Sequence, residues 1–126
     1  MANILLIDDE EDIRLLVSSL LTKLGHHIRQ AGNGVEGLQL YREHPADLVI
    51  TDVVMPEQEG LSMILELRKM NPAARIIAMS GGFAHDPKLY LNMAKKFGAD
   101  HVLRKPFSLE ELKDVVNAVL PPSPAG

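Results

Sequence analysis

Five short apolar runs alternate along this chain with five segments of helical periodicity. That alternation predicts an α/β protein, a (βα)5 doubly wound parallel sheet. The run at 3–7 (NILLI) is almost continuously apolar, which suits a strand covered on both faces, and 47–51 (DLVIT) and 75–79 (RIIAM) read as further strands. Short connections and right-handed crossovers then set helices on both sides of one parallel sheet.

The elements follow in order. The first strand runs into an acidic cluster, Asp8-Asp9-Glu10-Glu11-Asp12. Ile13, Leu16, Val17, Leu20 and Leu24 then mark a helix whose first-turn acids complement its dipole and whose stop is Gly25. Residues 27–31 form a weak second strand. Asn33 and Glu36 read as an N-cap and its capping partner, opening a helix to Glu43. The third strand, 47–51, ends at Asp52, and Met55-Pro56 breaks the chain after it. Leu61, Ile64, Leu65 and Arg68 outline a third helix that stops before Asn71-Pro72. The fourth strand, 75–79, ends at Ser80 and is followed by Gly81-Gly82. Asp86-Pro87 is a cap with proline at the first helical position. Tyr90, Met93, Ala94 and Phe97 form that helix's apolar stripe, and Gly98 closes it. Residues 100–104 are the fifth strand. Ser108 with Glu111 makes a capping box, and Phe107 with Leu112 a hydrophobic staple. The last helix buries Leu112, Val115, Val116 and Val119. Residues 1–120 are expected to form one domain, and the Pro-rich segment 121–126 a disordered tail.

Composition narrows the function. The 126 residues are one ordinary domain, and aromatics at 4% leave the core to Leu, Ile, Val, Ala and Met. Met63, Met70, Met79 and Met93 accordingly read as core filler. A net charge of -4, with basic residues scattered singly or in pairs and never in a run, argues against direct nucleic-acid binding. The absence of cysteine excludes disulfides, thiolate catalysis and Cys-based metal sites. No apolar stretch is long enough to span a membrane, and the N-terminal run is too short for a signal peptide, so the expected location is cytoplasmic. His26-His27 reads as surface and strand edge rather than metal ligand.

The chemistry lies at the strand ends. Strand 1 ends in Asp8-Asp9, strand 3 in Asp52, strand 4 in Ser80 and strand 5 in Lys105, and the fold gathers all five at the edge where such sheets bind ligands. Taken singly, each has an ordinary explanation: a helix-start acid, a turn residue, a loop hydroxyl, a solvated charge. Their joint placement at four strand ends is what points to a site. Three carboxylates brought together repel one another, and a divalent cation resolves that. Oxygen-only donors favour Mg²⁺, with Mn²⁺ as the alternative ion. A carboxylate can also act as a nucleophile and form an aspartyl phosphate, with a hydroxyl and an ammonium serving the phosphoryl oxygens. Gly81-Gly82 is not followed by Lys-Ser/Thr, which excludes a P-loop.

On ILLIDDE, LVITDVVMP, IIAMSGG and VLRKPF, the chain resembles the response-regulator receiver family over residues 3–120. The resemblance implies the flavodoxin-like strand order 2-1-3-4-5. It implies that Asp52 accepts a phosphoryl group from the phosphohistidine of a histidine kinase or histidine phosphotransfer protein. By the same carry-over Asp8, Asp9, Asp52 and the Val54 carbonyl hold Mg²⁺, Ser80 and Lys105 contact the phosphoryl group, and Pro106 is a candidate cis proline. Phosphorylation is expected to switch the face made by helix 4, strand 5 and helix 5 toward an output protein. The chain departs from its family at Val102, where many receivers carry an aromatic switch residue, and Arg104 is unusual near a strand end. Neither Val54 nor Gly82 offers a side chain to orient an attacking water, so dephosphorylation is expected to proceed without such an anchor. Two other functions compete. An Asp-nucleophile phosphohydrolase of the haloacid-dehalogenase type would need a second acid at position 54, where Val stands. An unphosphorylated pseudo-receiver scaffold usually lacks an acid or the Lys, and here all are present.

Overall fold

A single parallel sheet runs in the order β2-β1-β3-β4-β5. Its strands are β1 (Asn3–Ile7), β2 (His27–Ala31), β3 (Leu48–Asp52), β4 (Ile76–Ser80) and β5 (His101–Arg104). They alternate with α1 (Glu11–Lys23), α2 (Gly34–Glu43), α3 (Glu59–Met70), α4 (Pro87–Phe97) and α5 (Leu109–Val119). This computed structural model describes residues 2–53, 59–80 and 87–120. The expected (βα)5 alternation and strand order are those observed. Met55-Pro56, Asp86, the Tyr90 side chain and residues 121–126 lie outside the described residues.

Alternation along the strands splits the core in two. Leu5, Ile7, Val49, Ile76 and Ala78 face a cluster built by α2, α3 and α4 through Tyr41, Met63, Ile64, Leu67 and Ala94. Ile4, Leu6, Leu48, Ile50, Ile77, Met79 and Leu103 face α1 and α5 through Val17, Leu21, Leu112 and Val116. Ile4 to Ile7 are all fully buried, as a strand covered on both faces requires. Each such side chain contributes about 1.5–3 kcal/mol of transfer free energy.

The third and fourth strands end at Asp52 and Ser80, as expected, and begin one residue later than expected, at Leu48 and Ile76. β3 extends to Asp52 and β4 to Ser80, because ladder pairing uses the backbone: Asp52 sits opposite Met79 and Ser80 opposite Arg104. The α1 face is also rotated from the expected one. It centres on Val17 and Leu21 with Ile13, Leu20 and Leu24, and leaves Leu16 57% exposed, since at 3.6 residues per turn Leu16 falls about 90° from that centre. Leu65 is likewise on the outer side of α3, and Met70, the last residue of that helix, is exposed rather than core. Met63 and Met79 are buried, and Met93 packs against the first cluster.

The helix signals hold where the structure describes them. The Asn33 side chain accepts from the Glu36 amide at 2.8 Å, although the Glu36 carboxylate accepts from the Gly32 amide rather than from that of Asn33, and Ser108 with Glu111 completes a capping box. Phe107 and Leu112 join the same cluster, as a staple requires. Gly25 and Gly98 follow α1 and α4 at φ 93° and 122°, a region costly for other residues. Arg68 braces the lower end of α3: its guanidinium reaches the carbonyls of Pro72, Ala74 and Gly98 and the Asp100 carboxylate.

Candidate functional site

The sheet's carboxyl edge is where the charged residues meet. Counted along their strands by twos, Asp8, Asp52 and Lys105 fall on the α1/α5 side of the pleat, in line with Leu6, Ile50 and Leu103. Ser80 falls on the other side, in line with Ile76 and Ala78. Asp8 follows β1 directly and stays attached to the sheet by donating its amide to the Ala31 carbonyl at 3.1 Å. Lys105 is fixed the same way on the far side, its amide donating to the Ser80 carbonyl at 2.7 Å. The peptide bond between Lys105 and Pro106 is cis, as the resemblance implied.

The Lys105 ammonium lies 2.8 Å from Asp52 Oδ2, 2.9 Å from Asp8 Oδ2 and 4.0 Å from Glu10 Oε1. Asp8 and Asp52 are buried, and the lysine side chain is only 11% exposed. Burial alone would lower the lysine's pKa. Hydrogen bonds and Coulomb attraction from Asp52 and Asp8 outweigh it, so the ammonium titrates above its ordinary 10.5. Asp8 Oδ1 accepts from the Glu10 amide at 2.9 Å, and Arg14 donates to the Asp8 carbonyl at 2.7 Å, fixing the turn that carries the acids. The Thr51 hydroxyl, buried, donates to the Asp52 carbonyl at 3.0 Å.

Ser80 differs from its neighbours. Its hydroxyl is fully buried and finds no hydrogen-bond partner among the described residues. A buried hydroxyl left unpaired costs about 1–3 kcal/mol, so its retention at this edge calls for a ligand that would use it.

The donor set suits a hard cation. Carboxylate oxygens of Asp8, Asp9, Glu10 and Asp52 lie within 4.8 Å of one another, Asp8 and Asp52 buried and Asp9 and Glu10 exposed. One ammonium does not neutralise four carboxylates, and the exposed pair leaves the cluster open on its solvent side. All five expected side chains thus sit at one edge, and three of them make direct ion pairs. Val54, Gly81 and Gly82 lie outside the described residues. Glu10, Arg14 and Thr51 were not singled out as site residues. The sequence sets Glu10 among the helix-start acids, and its position directly after the acid pair is the available signal. Val102 packs against the α2/α3/α4 cluster beside Ala78, on the same face as Ser80. Arg104 and His101 are exposed on the edge strand β5, and His27 on the opposite edge strand β2. His26 is half-buried and accepts the Ala2 amide at Nδ1, 3.2 Å away.

A flavodoxin-like sheet whose carboxyl edge holds a buried aspartate pair bridged by a partly buried lysine defines a small α/β domain with its site at the strand ends. The chain belongs to the response regulator receiver domain family of two-component signalling, whose model matches residues 4–117. It is 40% identical over 119 residues to the DNA-binding transcriptional regulator NtrC of Azospirillum brasilense, covering 94% of this chain and 24% of that protein. It is 34% identical over 117 residues to the chemotaxis protein CheY of Halobacterium salinarum, covering 93% of this chain and 95% of that one. The crystal structure of the receiver domain of NtrX from Brucella abortus superposes with a TM-score of 0.87 at 30% identity, covering 95% of this chain and 99% of that one. The chain therefore spans about a quarter of the NtrC protein and nearly all of CheY. No helix among the described residues is long and apolar enough to cross a membrane.

Proposed function

We propose that the chain is a phospho-acceptor switch. Asp52 takes a phosphoryl group from the phosphohistidine of a histidine kinase or histidine phosphotransfer protein, and the charged form engages an output protein through α4, β5 and α5. The observation that carries this is a buried carboxylate pair held by a partly buried ammonium, at the same sheet edge as a buried hydroxyl with no partner among the described residues.

In this reading an Asp52 carboxylate oxygen attacks phosphorus, the bond to the donor nitrogen breaks, and the electron pair leaves with that nitrogen. Lys105, already 2.8 Å from Asp52, supplies positive charge where the phosphoryl oxygens arrive. The Ser80 hydroxyl donates to one of those oxygens and so gains a partner. Asp8, Asp9 and Asp52, together with the Val54 carbonyl, would hold Mg²⁺ or Mn²⁺, which when bound supplies Lewis-acid stabilisation of the phosphoryl charge. Inward movement of Ser80 draws on the face it shares with Val102, so the packing of that valine transmits the change where an aromatic side chain is absent. The protein promotes only its own phosphorylation and dephosphorylation.

Acetyl phosphate with and without Mg²⁺, read by intact mass on the wild type and Asp52→Ala, tests this. A Mg²⁺-dependent adduct of one phosphoryl group that disappears in the variant is expected. No adduct on the wild type, under conditions that label another receiver, sinks the proposal and leaves the pseudo-receiver scaffold as the better account.

A further inference from the structure

We infer that Glu10 selects the chemical class of phosphoryl donor, favouring N-phosphoryl compounds whose leaving nitrogen is protonated over carboxyl phosphates, whose leaving group is an anion. The inference rests on Asp52 being the acceptor and adds a specificity residue to that site.

Glu10 stands at the N-cap of α1, where an acid ordinarily serves the helix, yet its side chain makes no capping hydrogen bond. Its carboxylate instead turns to the site, with Oε1 4.0 Å from the Lys105 ammonium. That ammonium is in turn 2.8 Å from the acceptor oxygen of Asp52. The Glu10 side chain is half exposed, whereas Asp52 and Lys105 are nearly enclosed. A donor approaching from solvent therefore meets this negative charge at the rim. Lys105 does little to cancel it, because its two close contacts are both with other carboxylates.

The two donor classes differ in what they bring to that rim. Acetyl phosphate carries two negative charges near neutral pH. Attack by the Asp52 carboxylate forms the new P–O bond and breaks the one to acetate, which leaves with the electron pair as an anion. Phosphoramidate carries a protonated nitrogen and one net negative charge. Attack breaks its P–N bond, and ammonia leaves with the electron pair and the three protons it already holds. Both steps balance with no added proton, and both leave the same aspartyl phosphate. They differ by one unit of donor charge, and in that one leaving group departs as an anion and the other as a neutral molecule. A carboxylate roughly 8 Å from that charge in a water-like dielectric separates the classes by about a factor of two at low salt. Screening removes the difference as the Debye length falls to about 3 Å near 1 M ionic strength.

The test uses the whole chain at saturating Mg²⁺, with rates of Asp52 labelling by acetyl phosphate and by phosphoramidate. The ratio of the two rates is read for the wild type, Glu10→Asp, Glu10→Gln and Glu10→Lys. Using the ratio cancels any change in metal affinity or in folding common to both donors. The acetyl phosphate to phosphoramidate ratio is expected to rise about twofold in Glu10→Gln and roughly sixfold in Glu10→Lys at low salt. It should stay near the wild-type value in Glu10→Asp and converge among all four proteins at high salt. Labelled proteins whose ratios do not differ overturn the inference and leave Asp52 as acceptor. A ratio shift that persists unchanged at high salt also overturns it, since the cause is then shape rather than charge. Failure of both donors to label the wild type overturns the acceptor reading and this inference with it.

Discussion

Lys105 is the residue on which the site's electrostatics turn, because it alone among the described residues offers a cation to both buried aspartates. Lys105→Met removes the ion pairs that Lys105 makes with the buried Asp8 and Asp52, which costs about 3 kcal/mol or more. The same change removes the cation that competes with a metal for those oxygens. Lower stability in urea and tighter Mg²⁺ binding by titration are therefore expected together in one variant. His26 makes a second prediction. Burial holds its imidazole below the ordinary 6.5, and Nδ1 must be unprotonated to accept the Ala2 amide. The unfolded chain takes up this proton from pH 6.5 downward while the folded one resists, so stability is full above 6.5 and falls as pH drops toward the folded value. Denaturant melts between pH 7.5 and 5.5 should show this slope, and His26→Asn, whose amide oxygen can accept the same bond, should flatten it. At this scale the sequence announced Asp8, Asp9, Asp52, Ser80 and Lys105 through their strand-end positions. It could not announce His26 or Arg14, whose partners are backbone atoms brought near only by folding.

Elements were legible to the degree that their signals are local. The capping box at Ser108 and the N-cap at Asn33 lie within four residues of what they satisfy, and both appear as read. The outer placement of Leu16 and Leu65 was not legible from spacing, because an apolar residue fits a helical stripe whichever side of the stripe it borders. Contacts between elements are less visible still. α2 crosses β1 so closely at Gly37 that an added Cβ would stand 2.4 Å from Ile7 Cδ1 and 2.9 Å from Ile7 Cγ1. Alanine gains about 1 kcal/mol of helix propensity over glycine, but forcing a methyl into a filled core costs about 1–3 kcal/mol. Gly37→Ala is thus expected to destabilise on balance. Ile7→Val removes the Cδ1 atom that is struck, so Gly37→Ala with Ile7→Val should be more stable than additivity allows, as read by a double-mutant cycle.

For the molecule as a whole, one sheet couples the site to both cores, so an event at the carboxyl edge registers in the stability of the entire fold. Four clustered carboxylates oppose folding in the absence of a cation, and a cation that binds only the folded edge stabilises by mass action. At about a hundredfold excess over its Kd the gain is about 2.7 kcal/mol. Calorimetry should show the melting temperature rising by roughly 10 °C with saturating Mg²⁺, and much less in Asp9→Asn. The topology was legible because alternation and right-handed crossovers leave few sheets to choose from, and the resemblance selected the strand order among them. The pleat then imposes a division of labour expressible in genetic terms. Asp8, Asp52 and Lys105 belong to the layer of α1 and α5, whereas Ser80 and Val102 belong to that of α3 and α4. A lesion in the charged trio finds its compensating substitutions under one pair of helices, and a lesion at the hydroxyl finds them under the other. The two suppressor sets share a sheet and no side chains.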